Sequence, residues 1–343
     1  MKIVTVIGNR PQFIKTALIS REIRTKDIEV LIHTGQHYDS NLSKIFFKEL
    51  KIPEPDKYLG ISEISHARQT GKMMIEIEQI LFQEMPDCMI VYGDTNSTLG
   101  GALAGAKLNI PIVHIEAGLR SFNRKMPEEI NRILTDHLST LLFCPNESAI
   151  NNLNNEGLTK GIFNCGDVME EIFGFFYKNI PKTESNTYAY MTMHRSENTD
   201  DSIILANRIK QVGEIDSDVI WPIHPRTKKR LTEFNIITPS NIKLMEPQGY
   251  YKNIEYIKNS RIIITDSGGV QKEAYWAGKP CFTLRNETEW LDTVVEGWNT
   301  IISLEDNLGQ KIKEFSIPEK SYIRKRNIFE SKLIIEKIRN SIP

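Results

Sequence analysis

Short apolar segments rich in β-branched residues alternate with longer amphipathic segments along the whole chain, and this alternation limits the fold more than any other feature. In the first half, apolar runs predict buried strands at Lys2–Ile7, Glu29–Thr34, Asp87–Val91, Pro111–Ile115 and Leu141–Cys144. The segments between them predict helices at Phe13–Lys26, Gln69–Glu84, Ser97–Leu108 and Pro127–His137. Such alternation predicts right-handed crossovers and a parallel sheet that helices cover on both faces.

The pattern restarts after an apolar run at Ile162–Cys165. Further strands are predicted at Tyr188–Thr192, Val219–Ile223, Ile242–Met245, Ile262–Thr265 and Cys281–Leu284. Two successive sets of five or six strands in a chain of 343 residues predict an α/β fold with two doubly wound, Rossmann-like domains. We expect residues 1–165 to form the first domain and 166–322 the second. A C-terminal helix at about 323–343 is expected to pack back on the first domain.

Composition excludes several classes of function. The chain carries 43 Lys and Arg against 44 Asp and Glu, so its balanced charge predicts no affinity for nucleic acid or for an acidic membrane surface. No apolar run approaches the roughly 20 residues that span a bilayer, and the first residues do not form a signal peptide. The four cysteines are scattered singly, which predicts buried free thiols rather than disulfides or a zinc site. We therefore expect a cytoplasmic protein.

Two cations follow the first predicted strand. Arg10 and Lys15 lie near a helix start, where a phosphate group is favoured. Judged alone, the segment is explained equally well by ordinary surface cations. It does not match the GxGxxG dinucleotide fingerprint, which is found nowhere else in the chain. Gly100–Lys107 resembles a phosphate-binding P-loop only in part, and packing of small residues between helices explains it better.

Carboxylates follow the next predicted strands, where ligands bind in open parallel sheets. Asp94 comes after one strand and Glu116 after the next, while Glu128 and Glu129 open a helix. Acids at a helix start also stabilise the helix dipole, so the last two have a structural explanation as well. Glu116 is different, because a lone acid at the end of a buried strand is costly unless it is paired or functional. Asp94, Glu116 and Glu128 together would provide acids of separable pKa for acid and base roles.

The second half repeats this arrangement. His194 and His224, the latter followed by Arg226, come just after two predicted strands, which favours an anion site. Ser267, Gly268 and Gly269 form a turn between a strand and a helix, where exposed N–H groups suit a diphosphate. Glu273, one turn into that helix, is positioned to accept hydrogen bonds from ribose hydroxyls. A polar loop that begins at Arg285 follows the last strand.

The order and spacing of these segments resemble the non-hydrolysing UDP-N-acetylglucosamine 2-epimerase family over essentially the whole chain. The segments that carry the resemblance are GNRPQFIK, TGQHYD, VYGDTNST, HIEAGLRS, MPEEINRILTDH, TMHRSEN, IHPR, TDSGGVQKEA and LRNETEW. The resemblance implies a fold of the glycosyltransferase-B type, with UDP held mainly by the second domain in an interdomain cleft. It also implies a homodimer, a UDP-sugar substrate, and neither a metal ion nor another cofactor.

The resemblance also assigns roles by motif position. It implies that Arg10 and Lys15 face the diphosphate, that Asp94, Glu116 and Glu128 are catalytic acids, and that His194 is the catalytic histidine on the diphosphate side. The remaining positions that match imply contacts with the substrate: Arg132, His224, Arg226, Ser267, Gly268, Gly269, Glu273, Arg285, Thr288 and Glu289.

The chemistry of C2 inversion favours loss and re-addition of UDP. The C2 hydrogen of a 2-acetamido sugar is not next to a carbonyl group, so the enzyme must either oxidise the sugar with a nicotinamide or eliminate UDP. Because the dinucleotide fingerprint is missing, elimination to a 2-acetamidoglucal is expected, for surface polysaccharide precursors. Elimination and re-addition need cations for the departing UDP, a base on one face of C2 and an acid on the opposite face.

Four alternatives stay open at this point, one of them a nucleotide-sugar sensor without catalytic activity. Glu289-Trp290-Leu291 stands where common family members carry Glu-Arg-Pro, and it resembles the branch that acts on UDP-2,3-diacetamido-2,3-dideoxy-glucuronate. In that case Arg124 or Lys125 is a candidate partner for the C6 carboxylate. A hydrolysing epimerase is a second alternative. A UDP-sugar glycosyltransferase shares the fold but does not need three acids.

Overall fold

The computed structural model describes residues 1–36, 46–62, 65–181, 187–319 and 330–342. The chain packs into two compact units, which divide after Ile172. Unit 1 contains Met1–Ile172 and the described C-terminal segment, and unit 2 contains the described residues from Phe173 onward to 319. The predicted division at residue 165, with catalytic acids in one domain and UDP in the other, stays a prediction.

Unit 1 is built on a parallel sheet of seven strands in the order β3-β2-β1-β4-β5-β6-β7. The strands are β1 Lys2–Ile7, β2 Ile28–His33, β3 Lys57–Tyr58, β4 Cys88–Tyr92, β5 Ile112–Ile115, β6 Leu141–Cys144 and β7 Ile162–Asn164. The chain runs outward from β1 to β3 and then resumes beside β1 with β4. The carboxyl ends of β1 and β4 therefore flank the switch point at which ligands bind in such sheets.

Helices cover this sheet: α1 Arg10–Ile23, α2 His66–Glu84, α3 Asn96–Lys107, α4 Pro127–Leu138, α5 Glu147–Asn155 and, crossing the division between the units, α6 Val168–Asn179. The C-terminal helix, α14 Glu330–Ser341, lies against α1, and Arg339 Nε donates a 2.8 Å hydrogen bond to Asp27 near the end of α1. The predicted helix began at residue 323, and residues 323–329 lie outside the described residues.

Small residues let α3 approach its neighbours closely. A Cβ on Gly105 would lie 2.6 Å from the Met89 side chain, and one on Gly100 would lie 3.1 Å from the Cβ of Met73 on α2. The prediction that Gly100–Lys107 serves helix packing is therefore confirmed, since these glycines face buried side chains of the sheet and of α2.

Unit 2 repeats the plan with a parallel sheet of six strands in the order β10-β9-β8-β11-β12-β13. The strands are β8 Tyr188–Thr192, β9 Asp218–Pro222, β10 Ile242–Met245, β11 Ile262–Thr265, β12 Cys281–Thr283 and β13 Asn299–Ile301. The helices are α7 Ser196–Thr199, α8 Ser202–Gly213, α9 Pro225–Glu233, α10 Tyr250–Asn259, α11 Gly268–Trp276, α12 Leu291–Val295 and α13 Leu308–Glu314. The switch point of this sheet lies at the carboxyl ends of β8 and β11.

Each predicted strand is present within one residue at either end. The first predicted helix was placed too late, because α1 begins at Arg10 rather than Phe13. Asn9 caps it, with its side chain accepting a 3.2 Å hydrogen bond from the Gln12 N–H. The four cysteines are buried and free, as predicted. Among the described residues, no helix is long and apolar enough to cross a membrane.

Candidate active site

The carboxyl edge of the unit 1 sheet holds a buried ion pair between Lys15 of α1 and Glu116, the first residue after β5. Glu116 has a φ of +72°, a left-handed conformation that is costly for a residue with a side chain. Gly93, after β4, makes room for the pair, because a Cβ there would lie 2.9 Å from Glu116 Oε2. Strain and close approach thus position one carboxylate at the switch point.

The surroundings of Glu116 change its acidity. Burial raises the pKa of this carboxyl group above its ordinary value, and the nearby carboxylates of Asp167 and Asp94 raise it further, whereas Lys15 opposes them. Desolvation outweighs the ion pair here. A carboxyl group whose pKa is shifted toward neutral pH can both release and accept a proton, so it is suited to proton exchange with a substrate.

A second network at this edge is centred on Arg132 of α4. Its guanidinium group donates to Asp94 Oδ2 at 2.5 Å and to Glu129 Oε2 at 2.8 Å. Glu129 also accepts hydrogen bonds from the backbone N–H groups of Ser121 and Phe122, both at 2.9 Å. Although burial opposes them, these hydrogen bonds and Arg132 hold the pKa of Glu129 below its ordinary value. Arg132 therefore fixes Asp94 on one side and is itself fixed by Glu129 on the other.

Behind these groups lies a buried pair, His114 of β5 and Asp136 of α4. His114 Nδ1 is 2.6 Å from Asp136 Oδ1, and its Nε2 is 2.8 Å from the carbonyl oxygen of Gly93. The other oxygen of Asp136 accepts from the Gly118 N–H at 3.1 Å and from Arg120 at 2.7 Å. Burial opposes it, but His114 and Arg120 lower the pKa of Asp136. The pair connects the two turns that carry Asp94 and Glu116.

The start of α1 is tied to the same edge. The Gln12 side chain donates to the carbonyl oxygen of Tyr92 at 2.8 Å, at the end of β4. Arg10 lies at the first position of α1, with its guanidinium carbon 5.6 Å from the centre of the Phe46 ring. Gln36 accepts from the Ser97 N–H at 3.0 Å, at the start of α3. The rest of the predicted Gln-His-Tyr-Asp motif, residues 37–39, lies outside the described residues.

In unit 2, the switch point is organised by Asp266, a fully buried residue that follows β11. Its carboxylate accepts from the backbone N–H of His194 at 3.0 Å and of Arg195 at 2.9 Å. His194 Nδ1 lies 3.4 Å from Asp266 Oδ1, while the imidazole side chain is 44% exposed. Asp266 thus holds the loop after β8, and the histidine presents its ring to the surface of the unit.

The start of α11 lies beside Glu289. A Cβ on Gly268 would be 2.4 Å from Glu289 Oε1, so the carboxylate approaches the first residue of the helix closely. Arg285 donates to Glu289 Oε2 at 2.8 Å. Despite its burial, Arg285 and Arg195 lower the pKa of Glu289. An anionic group is therefore stabilised where the helix dipole and free N–H groups favour one.

Glu273 lies one turn further along α11 and is also buried, but its pKa is shifted in the opposite direction from that of Glu289. Burial raises its pKa to about 8, and the Tyr250 hydroxyl group opposes this only in part. Thr288, at the other side of α11, donates to Gln271 Oε1 at 2.6 Å. This carboxyl group is thus largely protonated at neutral pH until a partner arrives that stabilises its charge.

The sequence and the fold match those of known proteins. The sequence profile of the UDP-N-acetylglucosamine 2-epimerase family matches residues 21–342. A UDP-N-acetylglucosamine 2-epimerase homolog of Methanococcus maripaludis is 50% identical over 337 residues, which cover 94% of each chain.

The chain belongs to the UDP-N-acetylglucosamine 2-epimerase family.

Two further relatives of this family are close. A UDP-2,3-diacetamido-2,3-dideoxy-D-glucuronate 2-epimerase of Pseudomonas aeruginosa is 46% identical over 314 residues, which cover 88% of each chain. The crystal structure of Methanocaldococcus jannaschii UDP-GlcNAc 2-epimerase in complex with UDP-GlcNAc and UDP has a TM-score of 0.92 and 40% identity, covering 99% of this chain and 100% of that one. The predicted family and the predicted class of two doubly wound parallel-sheet domains are both confirmed.

Several residues singled out from this epimerase's sequence lie together in unit 1. Lys15 pairs with Glu116, and Arg132 pairs with Asp94. Glu128 does not join them, because it is exposed and forms no hydrogen bond or ion pair with any described residue. Glu129, for which the sequence predicted only a role at the helix start, occupies the buried position beside Arg132. Its spacing from Arg132, three residues along a helix, was the available signal.

The predicted residues of unit 2 fall into two groups. His194, Gly268, Arg285 and Glu289 lie near the ends of β8, β11 and β12, with Asp266 among them as an unpredicted buried acid. His224 and Arg226 form the second group. His224 caps α9 by accepting from the Arg226 N–H at 3.2 Å, and Arg226 forms an exposed ion pair with Asp200. The two histidine rings are 6.0 Å apart, which connects the groups.

Proposed function

We propose that this epimerase interconverts UDP-GlcNAc and UDP-ManNAc by eliminating UDP and adding it back. The observation that carries the proposal is the buried Glu116, held against Lys15 with its pKa raised, beside Asp94 and Arg132. This arrangement supports proton exchange by carboxyl groups at a carbon whose proton is not acidic. The kinship with UDP-GlcNAc 2-epimerases supports the choice of nucleotide and sugar.

The proposed reaction is balanced in atoms and electrons, and it needs no external oxidant. A carboxylate removes the C2 proton, the C2–H electrons form the C1–C2 double bond, and the C1–O bond breaks with its electron pair on UDP. The product pair is a 2-acetamidoglucal and UDP. UDP then adds back at C1 while an acid protonates C2 on the opposite face. Asp94, Glu116 and Glu128 are the proposed acids and bases, since two faces of one carbon must be served.

The leaving UDP gains negative charge, so the proposal requires donors for its phosphates. Arg10 and Lys15 in unit 1 and His194 in unit 2 are proposed to face the diphosphate, with the N–H groups of Ser267, Gly268 and Gly269 at the start of α11. Glu273 is proposed to accept from the ribose hydroxyls, and Arg132, Thr288 and Glu289 to contact the sugar. His224, Arg226 and Arg285 complete the proposed anion-binding set.

Incubation of the protein with UDP-GlcNAc in deuterated water, followed by NMR, tests the proposal. We expect deuterium at C2 of both UDP-GlcNAc and UDP-ManNAc, with UDP still attached. Release of free N-acetylmannosamine and UDP would instead identify a hydrolysing epimerase. Unchanged UDP-GlcNAc without deuterium, in the presence of bound nucleotide, would contradict epimerisation and favour a glycosyltransferase.

A second substrate has one specific observation in its favour, the 46% identity to a UDP-2,3-diacetamido-2,3-dideoxy-D-glucuronate 2-epimerase. Arg124 and Lys125 are exposed between β5 and α4, and either cation is a candidate partner for a carboxylate at C6. Turnover of the two UDP-sugars in parallel decides between them. If Arg124→Gln lowers turnover of only the glucuronate substrate, the second candidate is the better one.

The proposed assembly is a homodimer that works in the cytoplasm and makes precursors of surface polysaccharides. Size-exclusion chromatography with light scattering measures the mass directly against the 39.4 kDa of one chain. A monomer at all concentrations would overturn the proposed dimer and leave the proposed reaction untouched.

A further inference from the structure

Three buried side-chain N–H groups near the start of α11 have no hydrogen-bond acceptor among the described residues. They are Trp290 Nε1, Arg285 Nε and Gln271 Nε2. The residues that carry them are 8%, 4% and 0% exposed, so bulk water does not easily replace an acceptor. A buried donor without an acceptor is destabilising, because it has lost its hydrogen bonds to water and gained none in the protein. A cluster of such donors indicates a place for an acceptor that arrives with a ligand.

The indole N–H of Trp290 points to the first residue of α11. Trp290 Nε1 lies 3.3 Å from the position that a Cβ on Gly268 would occupy, so only a glycine leaves this approach open. The ring is held in place from two sides. The Trp290 backbone N–H donates to Thr288 Oγ1 at 3.1 Å, and the Lys272 ammonium group lies 4.4 Å from the centre of the indole ring. The donor is therefore oriented before any ligand binds.

The group that lies beside Gly268 in this structure is itself an anion, the carboxylate of Glu289. Glu289 Oε1 also approaches Gly268, and its carboxylate is paired with Arg285. Arg285 uses only its Nη1 atom in that pair, so its Nε is left to bind another oxygen. Although burial opposes them, Arg285 and Arg195 lower the pKa of Glu289, so the start of α11 already stabilises one carboxylate.

We propose that Trp290 is a substrate-binding residue whose indole N–H, together with Arg285 Nε, donates to the diphosphate oxygens of the UDP-sugar at the start of α11. The inference rests on the proposed function and extends it to a residue outside the turn formed by Ser267, Gly268 and Gly269. Trp290 is a neutral donor, so it forms no competing ion pair with Glu289. It strengthens its hydrogen bond as UDP gains charge on leaving C1.

The Trp290→Phe variant removes the N–H but keeps an aromatic ring under Lys272. A hydrogen bond to a charged group contributes about 1.5–3 kcal/mol, so the Kd for UDP should rise about 10- to 100-fold. Binding of uridine, which has no phosphate, should not change. Trp276→Phe is the matched control, because Trp276 also lies under Lys272, at 5.3 Å, and should leave UDP affinity unchanged.

A second measurement does not depend on the variant folding. The chain has four tryptophans, so a ¹⁵N-labelled protein gives at most four indole N–H signals. UDP should move the Trp290 signal downfield and uridine should not, while the signal of Trp221, whose N–H lies in the unit 2 core, stays in place. The signals are assigned by replacing the other three tryptophans singly with phenylalanine.

The outcomes separate the two proposals. A wild-type protein that binds UDP with no shift of the Trp290 signal, or a Trp290→Phe variant with unchanged UDP affinity, overturns the role of Trp290 and leaves the epimerase proposal standing. Equal loss of UDP and uridine binding also overturns it, because the effect is then on the fold of the site. A wild-type protein that binds no UDP overturns both.

Discussion

The imidazole of His114 and the carboxylate of Asp136 form a 2.6 Å hydrogen bond in which both side chains are fully buried. Through His114 Nε2 the pair reaches the carbonyl oxygen of Gly93, and through Asp136 it reaches the N–H of Gly118. These two glycines flank the acids Asp94 and Glu116. The spacing of the acid-bearing turns therefore depends on one buried contact between β5 and α4.

Replacing Asp136 with Asn should destabilise the protein strongly. The substitution leaves His114 and Arg120 without their buried carboxylate, and breaking a buried ion pair costs about 3–5 kcal/mol. Urea denaturation measures the free energy of unfolding. Asp218→Asn is the control, because its ion pair with Lys243 is exposed and should contribute less than about 1 kcal/mol. Similar small losses in the two variants would contradict the structural importance of the His114–Asp136 pair.

Glu128 and Glu129 are neighbours in the chain and should respond oppositely to substitution by Gln. Glu129 is buried and accepts from Arg132 and two backbone N–H groups, so Glu129→Gln should lower the free energy of unfolding by about 1–3 kcal/mol. Glu128 is exposed, so Glu128→Gln should change stability by less than about 0.5 kcal/mol. As a proposed acid or base, however, its loss should lower kcat by about 100-fold or more.

Denaturation and steady-state kinetics on both variants check this contrast. Each variant is the other's control, since the two changes are chemically identical and adjacent. An unchanged kcat in Glu128→Gln would remove Glu128 from the proposed acids.

The fold follows from the sequence to a large extent, because a strand that is buried on both faces is a continuous apolar run, and that pattern is visible without knowledge of its neighbours. The two strands that escaped prediction are short edge strands. β3 is only Lys57–Tyr58, and it is defined by pairing with Ile32 and His33 rather than by a pattern of its own. β13, Asn299–Ile301, likewise depends on pairing with β12. Local sequence has no information about such tertiary partners.

The sequence predicted which strand ends hold the candidate site residues. It did not predict which of those side chains pair with one another. Glu128 and Glu129 have the same residue type and adjacent positions, and only the rotation of α4 decides which one is buried beside Arg132. In the same way, Asp266 is one polar residue among several in its turn. Its role in holding the loop after β8 depends on the register of β8 against β11.

Replacing Lys15 with Gln should move the acid limb of the pH profile of kcat/KM to higher pH. Lys15 is the group that opposes burial at Glu116, so its loss should raise the pKa of that carboxyl group further. An opposite charge at this range shifts a pKa by about 1–3 units, so we expect a displacement of about one pH unit or more. A carboxylate base then ionises only at higher pH.

Measurement of kcat/KM across the pH range tests this shift, with Lys228→Gln as control. Lys228 pairs with Glu246 at an exposed position, and its loss should leave the profile in place. If the acid limb of Lys15→Gln coincides with that of the wild type, Glu116 is not the base whose ionisation the profile reports.

Replacing Glu273 with Gln should alter how stability depends on pH. The folded pKa of Glu273 is raised to about 8 from an ordinary value of 4.5, so between these limits the native state binds more protons than the unfolded state. The free energy of unfolding of the wild type should therefore fall as pH rises through this window, by on the order of 1 kcal/mol per pH unit from this group. Below about 4.5 both states are protonated, and the contribution is constant.

Glu273→Gln removes the titrating group while keeping its size, so its free energy of unfolding should lack this component. The difference between wild type and variant should grow in favour of the variant from about pH 5 to about pH 8 and then level off. Urea denaturation at several pH values measures it, with the exposed Glu305→Gln as a control for the loss of one carboxyl group. Parallel curves for wild type and Glu273→Gln would show that the carboxyl group is already ionised in the folded protein, with another charge compensating for its burial.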